Sequence, residues 1–168
     1  MVNNVLHSFL KEISLELNSK SVTDPNQLYP YRAYLENLLN YSNDIKVNRL
    51  RAEGWIRDTH TANMNPEHDA VSGVANRAAW VSESHMCEVV GRPNLDLFHQ
   101  PKLIPPGINM LIRFIPANDT FLMKTTDVNA AHKIVIDEVK LRVKRKQLTS
   151  KWSWHTGKRF YNKICYCL

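Results

Sequence analysis

The chain has 168 residues, 43% of them hydrophobic, which is enough for one packed core. No run approaches the ~18–20 apolar residues of a membrane span, and Met1 to His7 lacks the basic start and apolar centre of a signal peptide, so the expected setting is intracellular, nucleus or cytoplasm. The net charge of +6 is lopsided: no Asp or Glu follows Glu138, residues 139–168 carry nine Lys or Arg, and residues 1–138 balance to −3.

In chain order, Ile13, Leu15 and Leu17 alternate with Glu12, Ser14 and Glu16, the period of a strand with one dry and one wet face. Asn18, Ser19 and Lys20 form a polar, turn-prone connector. Pro30 suits the first turn of a helix, where its missing N–H has no partner anyway. Tyr31, Tyr34, Leu35, Leu38 and Tyr41 follow at spacings of three and four, so this stripe is expected to lie on a sheet. Residues 43–58 read as a helix end or an irregular crossing. Residues 58–76 read as a long surface loop, with room for a helical turn after Pro66.

From Ala79 the β pattern returns. Residues 80–83 and 87–90 are expected strands, and Leu95, Leu97 and His99 alternate with Asp96 and Phe98. Pro101, Pro105, Pro106 and Gly107 mark turns. Residues 108–115 are apolar on both faces, as in a strand at the seam of two sheets. Residues 133–148 form the longest strand candidate, its phase slipping at Asp137 and Glu138 as a β-bulge would allow. The residues alone therefore predict a mainly β chain, a β-sandwich with one short inserted helix.

Candidate chemistry is thin. His85 with Cys87 and Cys165 with Cys167 are pairs without a zinc spacing, and His60 and His68 read as surface histidines. There is no nucleophile elbow and no Gly-rich phosphate loop, so neither an enzyme nor a cofactor is expected, and catalytic, cofactor-binding and metal residues are all assigned as none. Three cysteines make a poor disulfide framework, and reduced thiols are expected. The basic segment Lys140, Arg142, Lys144, Arg145 and Lys146 is the nucleic-acid candidate, attracting phosphates without reading sequence. A charged strand guarding a sheet edge is the competing reading.

Val2 to Lys20, Tyr29 to Tyr41, Gly91 to Gln100, Pro106 to Phe114 and Lys133 to Asp137 together resemble the capsid proteins of Polinton (Maverick) elements and adintoviruses, in order and spacing, across residues 2–150. The resemblance implies a jelly-roll virion protein. The expected function is a self-assembling capsid subunit, the major double jelly-roll type favoured over the minor penton type. Such proteins carry a segment before the Asn3-Asn4-Val5-Leu6-His7-Ser8 block that supplies the first strands, and residues 152–168 depart from the family pattern. The expectation is thus a partial jelly roll with its N-terminal strands missing over 1–150, and a basic divergent tail over 151–168. By the same resemblance, residues 29–41 and 58–76 are expected at subunit interfaces, with Tyr29, Tyr31, Tyr41, His60 and His68 as candidates, and Tyr34 in the core. The implied partners are further copies of the chain and possible nucleic acid at the basic segment, with no membrane and no small-molecule substrate. The alternative is a domesticated β-sandwich binding module for nucleic acid or protein.

Overall fold

The computed structural model describes residues 1–23, 28–58, 73–105, 107–123 and 132–143. Helix α1 (Val5–Ser8) leads into β1 (Leu10–Leu17), which turns into the short β2 (Lys20–Ser21). Then come α2 (Tyr29–Asn40), α3 (Asn43–Asn48) and a 3-10 turn at Leu50–Glu53. Helix α4 (Gly73–Trp80), a 3-10 turn at Ser82–Ser84, α5 (Asp96–His99), β3 (Met110–Pro116) and α6 (Asp119–Leu122) complete the order.

The three strands form one antiparallel sheet in the order β2-β1-β3. Asn18 and Ser19 both adopt positive φ, the conformation a two-residue hairpin turn of matching twist demands. Asn18 also donates its N–H to the Asn109 carbonyl and accepts the Asn109 N–H, which pins the start of β3 beside the turn. The β1–β3 register sets Ile13 opposite Phe114, Leu15 opposite Ile112 and Leu17 opposite Met110, with an irregularity between Leu10 and Glu12. One face of the sheet is therefore apolar. The other carries Glu12, Ser14 and Glu16 across from Ile115, Arg113 and Leu111, with Arg113 paired to Glu16.

Helix α2 lies on the apolar face. Ile13, Leu15, Tyr29, Ala33, Leu95 and Phe98 form one buried cluster, with Leu10, Leu97, Met110 and Ile112 packed at its margin. Ala33 is completely buried, so the helix backbone approaches the sheet closely. The buried stripe of α2 is Tyr29, Ala33 and Asn37, not the expected Tyr31, Leu35 and Leu38, which are exposed. Two of the three buried side chains carry polar groups, so hydropathy reads that stripe as wet.

The mainly β expectation is corrected to a mixed α and β domain. Residues 73–80, read as loop end and strand start, form α4, because Arg77 is buried and ion-paired at its base. Residues 87–90 form no strand; Val90 N–H bonds the Ala52 carbonyl in the 3-10 turn instead. The alternation at 95–99 is a turn of helix, with Leu95 and Phe98 both buried. Residues 121–122 belong to α6, where Leu122 is buried. Strand β3 forms as expected, yet Leu111, Phe114 and Ile115 are exposed rather than buried on both faces. Residues 132–143 adopt no strand among the described residues and form no bulge. An apolar alternation makes a strand only where a partner edge receives it, and here Val135, Ile136, Val139 and Leu141 are exposed. Residues 59–72 of the expected loop, residues 144–148 of the expected strand and the tail at 151–168 lie outside the described residues.

Candidate interaction surface

What presents α2 to solvent is a buried polar clamp beneath it. His7 on α1 is 1% exposed and sits between two partners. Its Nε2 is 3.1 Å from Glu53 Oε2, and its Nδ1 is 2.8 Å from the Tyr29 hydroxyl. A carboxylate only accepts, so Nε2 carries the hydrogen and Nδ1 accepts from Tyr29 O–H. That assignment leaves the Tyr29 oxygen to accept the Asn94 N–H at 3.2 Å. Asn94 Nδ2 donates to the Ala33 carbonyl at 3.3 Å, Asn37 Nδ2 donates to Asn4 Oδ1 at 3.1 Å, and His99 Nε2 lies 3.3 Å from Asn94 Oδ1. Burial, the largest cause, raises the Tyr29 phenol above its ordinary range. Burial also lowers the His99 imidazole, with Arg92 adding to the effect. This network holds one arrangement of α1, α2, the 3-10 turn and residue 94, since a shift would strand its paired buried groups; Asn4 Nδ2 is its one buried side-chain atom without a partner among the described residues.

A second anchor fixes the chain ends of this layer. Arg77 donates from Nη2 to both Asp58 oxygens, at 2.9 and 3.2 Å, from Nη1 to the Ile56 carbonyl and from Nε to the Met1 carbonyl. Asn3 holds the same segment: its Nδ2 donates to the Ile56 carbonyl and its Oδ1 accepts the Ile56 N–H.

With α2 held from below, its other faces point outward. Leu28, Tyr31, Leu35, Leu38 and Leu39 are exposed, Leu39 at 77%, and Ile45 and Val47 continue the patch onto α3. Tyr31 meets Phe121 edge-on with centroids 6.1 Å apart, Tyr34 packs on Trp55 at 4.9 Å, and Arg49 lies 6.0 Å over the Tyr41 ring.

The sequence-chosen interface residues separate accordingly. Tyr31 and Tyr41 are on this surface, Tyr31 exposed and Tyr41 half-buried. Tyr29 is not an interface residue: at 2% exposed, its ring is core and its hydroxyl is used by the clamp. Tyr34, expected in the core, is partly exposed. Lys140 and Arg142 are exposed, and Lys140 Nζ lies 2.7 Å from Glu138 Oε2. Lys144, Arg145, Lys146, His60 and His68 lie outside the described residues. The clamp residues His7, Glu53 and Asn94 were missed because they lie far apart in sequence and belong to no spacing motif. Leu39 falls off the predicted stripe.

Among the described residues no group of three or more His, Cys, Asp and Glu side chains is arranged to hold a metal ion, and no helix is long and apolar enough to cross a membrane. No protein-family description matches the chain, and no solved structure matches it. An uncharacterised protein of Caenorhabditis elegans is 29% identical over 123 residues, covering 73% of this chain and 27% of that relative. The chain thus spans about a quarter of the length of the curated relative it matches.

Proposed function

We propose that the chain is a segment of a structural virion protein of the Polinton and adintovirus capsid type, and that it works by self-association rather than by chemistry. The observation that carries the reading is the contiguous apolar surface of α2 and α3, from Leu28 to Val47, held outward by a fully buried clamp. Monomeric soluble proteins rarely leave apolar patches of this kind uncovered, and subunit interfaces bury them. The resemblance across residues 2–150 supplies the virion setting. It favours the major double jelly-roll subunit over the penton type.

The test is light scattering coupled to size-exclusion chromatography, on this chain and on a longer version carrying additional flanking sequence. Discrete trimers or pentamers of the longer protein support the capsid reading, and the stoichiometry separates the major from the minor type. A chain that stays monomeric at every concentration, alone and extended, overturns it.

A further inference from the structure

Beside the apolar patch lies a concavity of about 420 Å³ between α2, α3 and the extended segment after the 3-10 turn. Leu38, Val47, Trp55 and Ile56 make its apolar lining, and Lys46, Arg51 and Arg57 bring three positive charges. No Asp or Glu lines it. Of the carboxylates nearest in sequence, Glu53 is buried against His7 and Asp58 is held by Arg77, while Asp44 is exposed on α3 outside the lining. Arg51 and Arg57 are exposed and form no ion pair among the described residues, while Lys46 donates to the Leu38 carbonyl and is held at the rim. Three like charges around an apolar hollow call for an occupant that is both apolar and anionic.

The same chain displays such a segment. Val135, Ile136, Asp137, Glu138 and Val139 are all exposed and outside any helix or strand among the described residues. Val135 is 71% and Val139 72% exposed. These β-branched residues flank the last two carboxylates of the chain. Because the segment is exposed, it does not fill the concavity of its own copy. Its one ion pair, Glu138 with Lys140, is a solvated contact of the weak kind.

We infer that the concavity bounded by Lys46, Arg51 and Arg57 receives the Val135–Val139 segment of a second copy of this chain. The inference rests on the self-association reading and names its two surfaces. The contact is head-to-tail, with different patches on the two copies. A contact of that kind generates a closed ring when its rotation closes, or a filament when it does not. Ile136 and Val139 supply the apolar part, and Asp137 and Glu138 meet the arginines.

The experiment uses charge reversal on each side, with circular dichroism to verify folding; the residues reversed are exposed. Arg51→Glu with Arg57→Glu forms one variant, and Asp137→Lys with Glu138→Lys the other. Sedimentation measures each alone and the two mixed, and a synthetic peptide of residues 133–141 is titrated against the wild type. Expected are loss of association in each variant by itself, recovery in the equimolar mixture, and peptide affinity reduced more than about tenfold by the arginine reversals. If the wild type associates and both variants associate equally well, the copies meet elsewhere: this inference fails while self-association stands. If the wild type neither associates nor binds the peptide, both fail. Peptide binding that is indifferent to the arginine reversals also overturns the inference.

Discussion

His7 Nε2 lies 3.1 Å from Glu53 Oε2, with both side chains almost wholly excluded from solvent. The pair joins α1 to the 3-10 turn across 46 positions of sequence. Removing either partner strands the other in the core. His7→Ala, which leaves the Glu53 carboxylate buried without its partner, is expected to cost about 3–5 kcal/mol, and Glu53→Ala, which orphans the His7 Nε2–H, about 1–3 kcal/mol. The double variant should cost less than the two together, by about 1–3 kcal/mol, because its members share one interaction. Urea unfolding of the two singles and the double checks this. Strict additivity would mean that the contact contributes nothing.

Tyr29 gives the fold an alkaline limit. Its hydroxyl is buried, and burial raises its ionisation above the ordinary value of 10.0. The folded state therefore keeps this proton where the unfolded chain has lost it. Stability is complete below about pH 10 and falls as pH rises beyond that value toward the raised folded one. Tyr29→Phe is expected to cost about 1–3 kcal/mol at neutral pH, since it orphans His7 Nδ1 and the Asn94 N–H. Its unfolding midpoint should then fall less steeply than the wild type's between pH 10 and 11. Parallel profiles would remove Tyr29 as the cause.

Gly54 ends the 3-10 turn at φ +82°, and a methyl group there would stand 2.5 Å from Val5 Cβ. Gly54→Ala combines a left-handed backbone penalty of roughly 1–2 kcal/mol with that clash. A drop in thermal midpoint is expected. Gly107, also at positive φ but with open space around it, should tolerate alanine with the backbone penalty alone.

Arg77 is 2% exposed and satisfies two carbonyls besides its pair with Asp58. Arg77→Met keeps much of the apolar stem but leaves the Asp58 carboxylate without its cation, with the Asn3 amide as its remaining donor. The expected loss is about 3–5 kcal/mol. Asp58→Asn together with Arg77→Met should recover part of it, read from urea midpoints.

The outward face of α2 is predicted to matter for association and not for folding. Leu35→Lys with Leu39→Lys alters two exposed positions, so unfolding stability should change by less than about 0.5 kcal/mol per site. Light scattering of the same variant should show weaker self-association. Lost stability with unchanged association would place these leucines in the core of the fold instead.

Much of the local structure was legible in the residues. The alternation at 12–17, the Asn18-Ser19 turn and the proline-led helix at 29–40 each follow from short-range chemistry, and each formed. The apolar run at 108–115 became β3, although its exposure differed. The misses have one cause. At 95–99 and 133–143 the apolar residues alternate, and at 80–83 and 87–90 they read as short strands, but such patterns state only which side chains want cover and not which edge will supply a partner. Phe98 found its cover as part of a helical turn, and Val135 to Val139 found none among the described residues.

The sequence by itself determined where the chain can be extended, where it must turn, and where its charge gathers, because these depend on neighbours within a few positions. Only the tertiary structure decided which side of α2 faces inward. That choice belongs to Ala33, small enough for close approach, and to Tyr29 and Asn37, whose polar tips meet His7 and Asn4 from distant parts of the chain. A buried polar group is tolerable only when its partners arrive in three dimensions. For that reason a stripe that reads as wet became the core, and Leu35, Leu38 and Tyr34 of the apolar stripe were left partly or wholly outside.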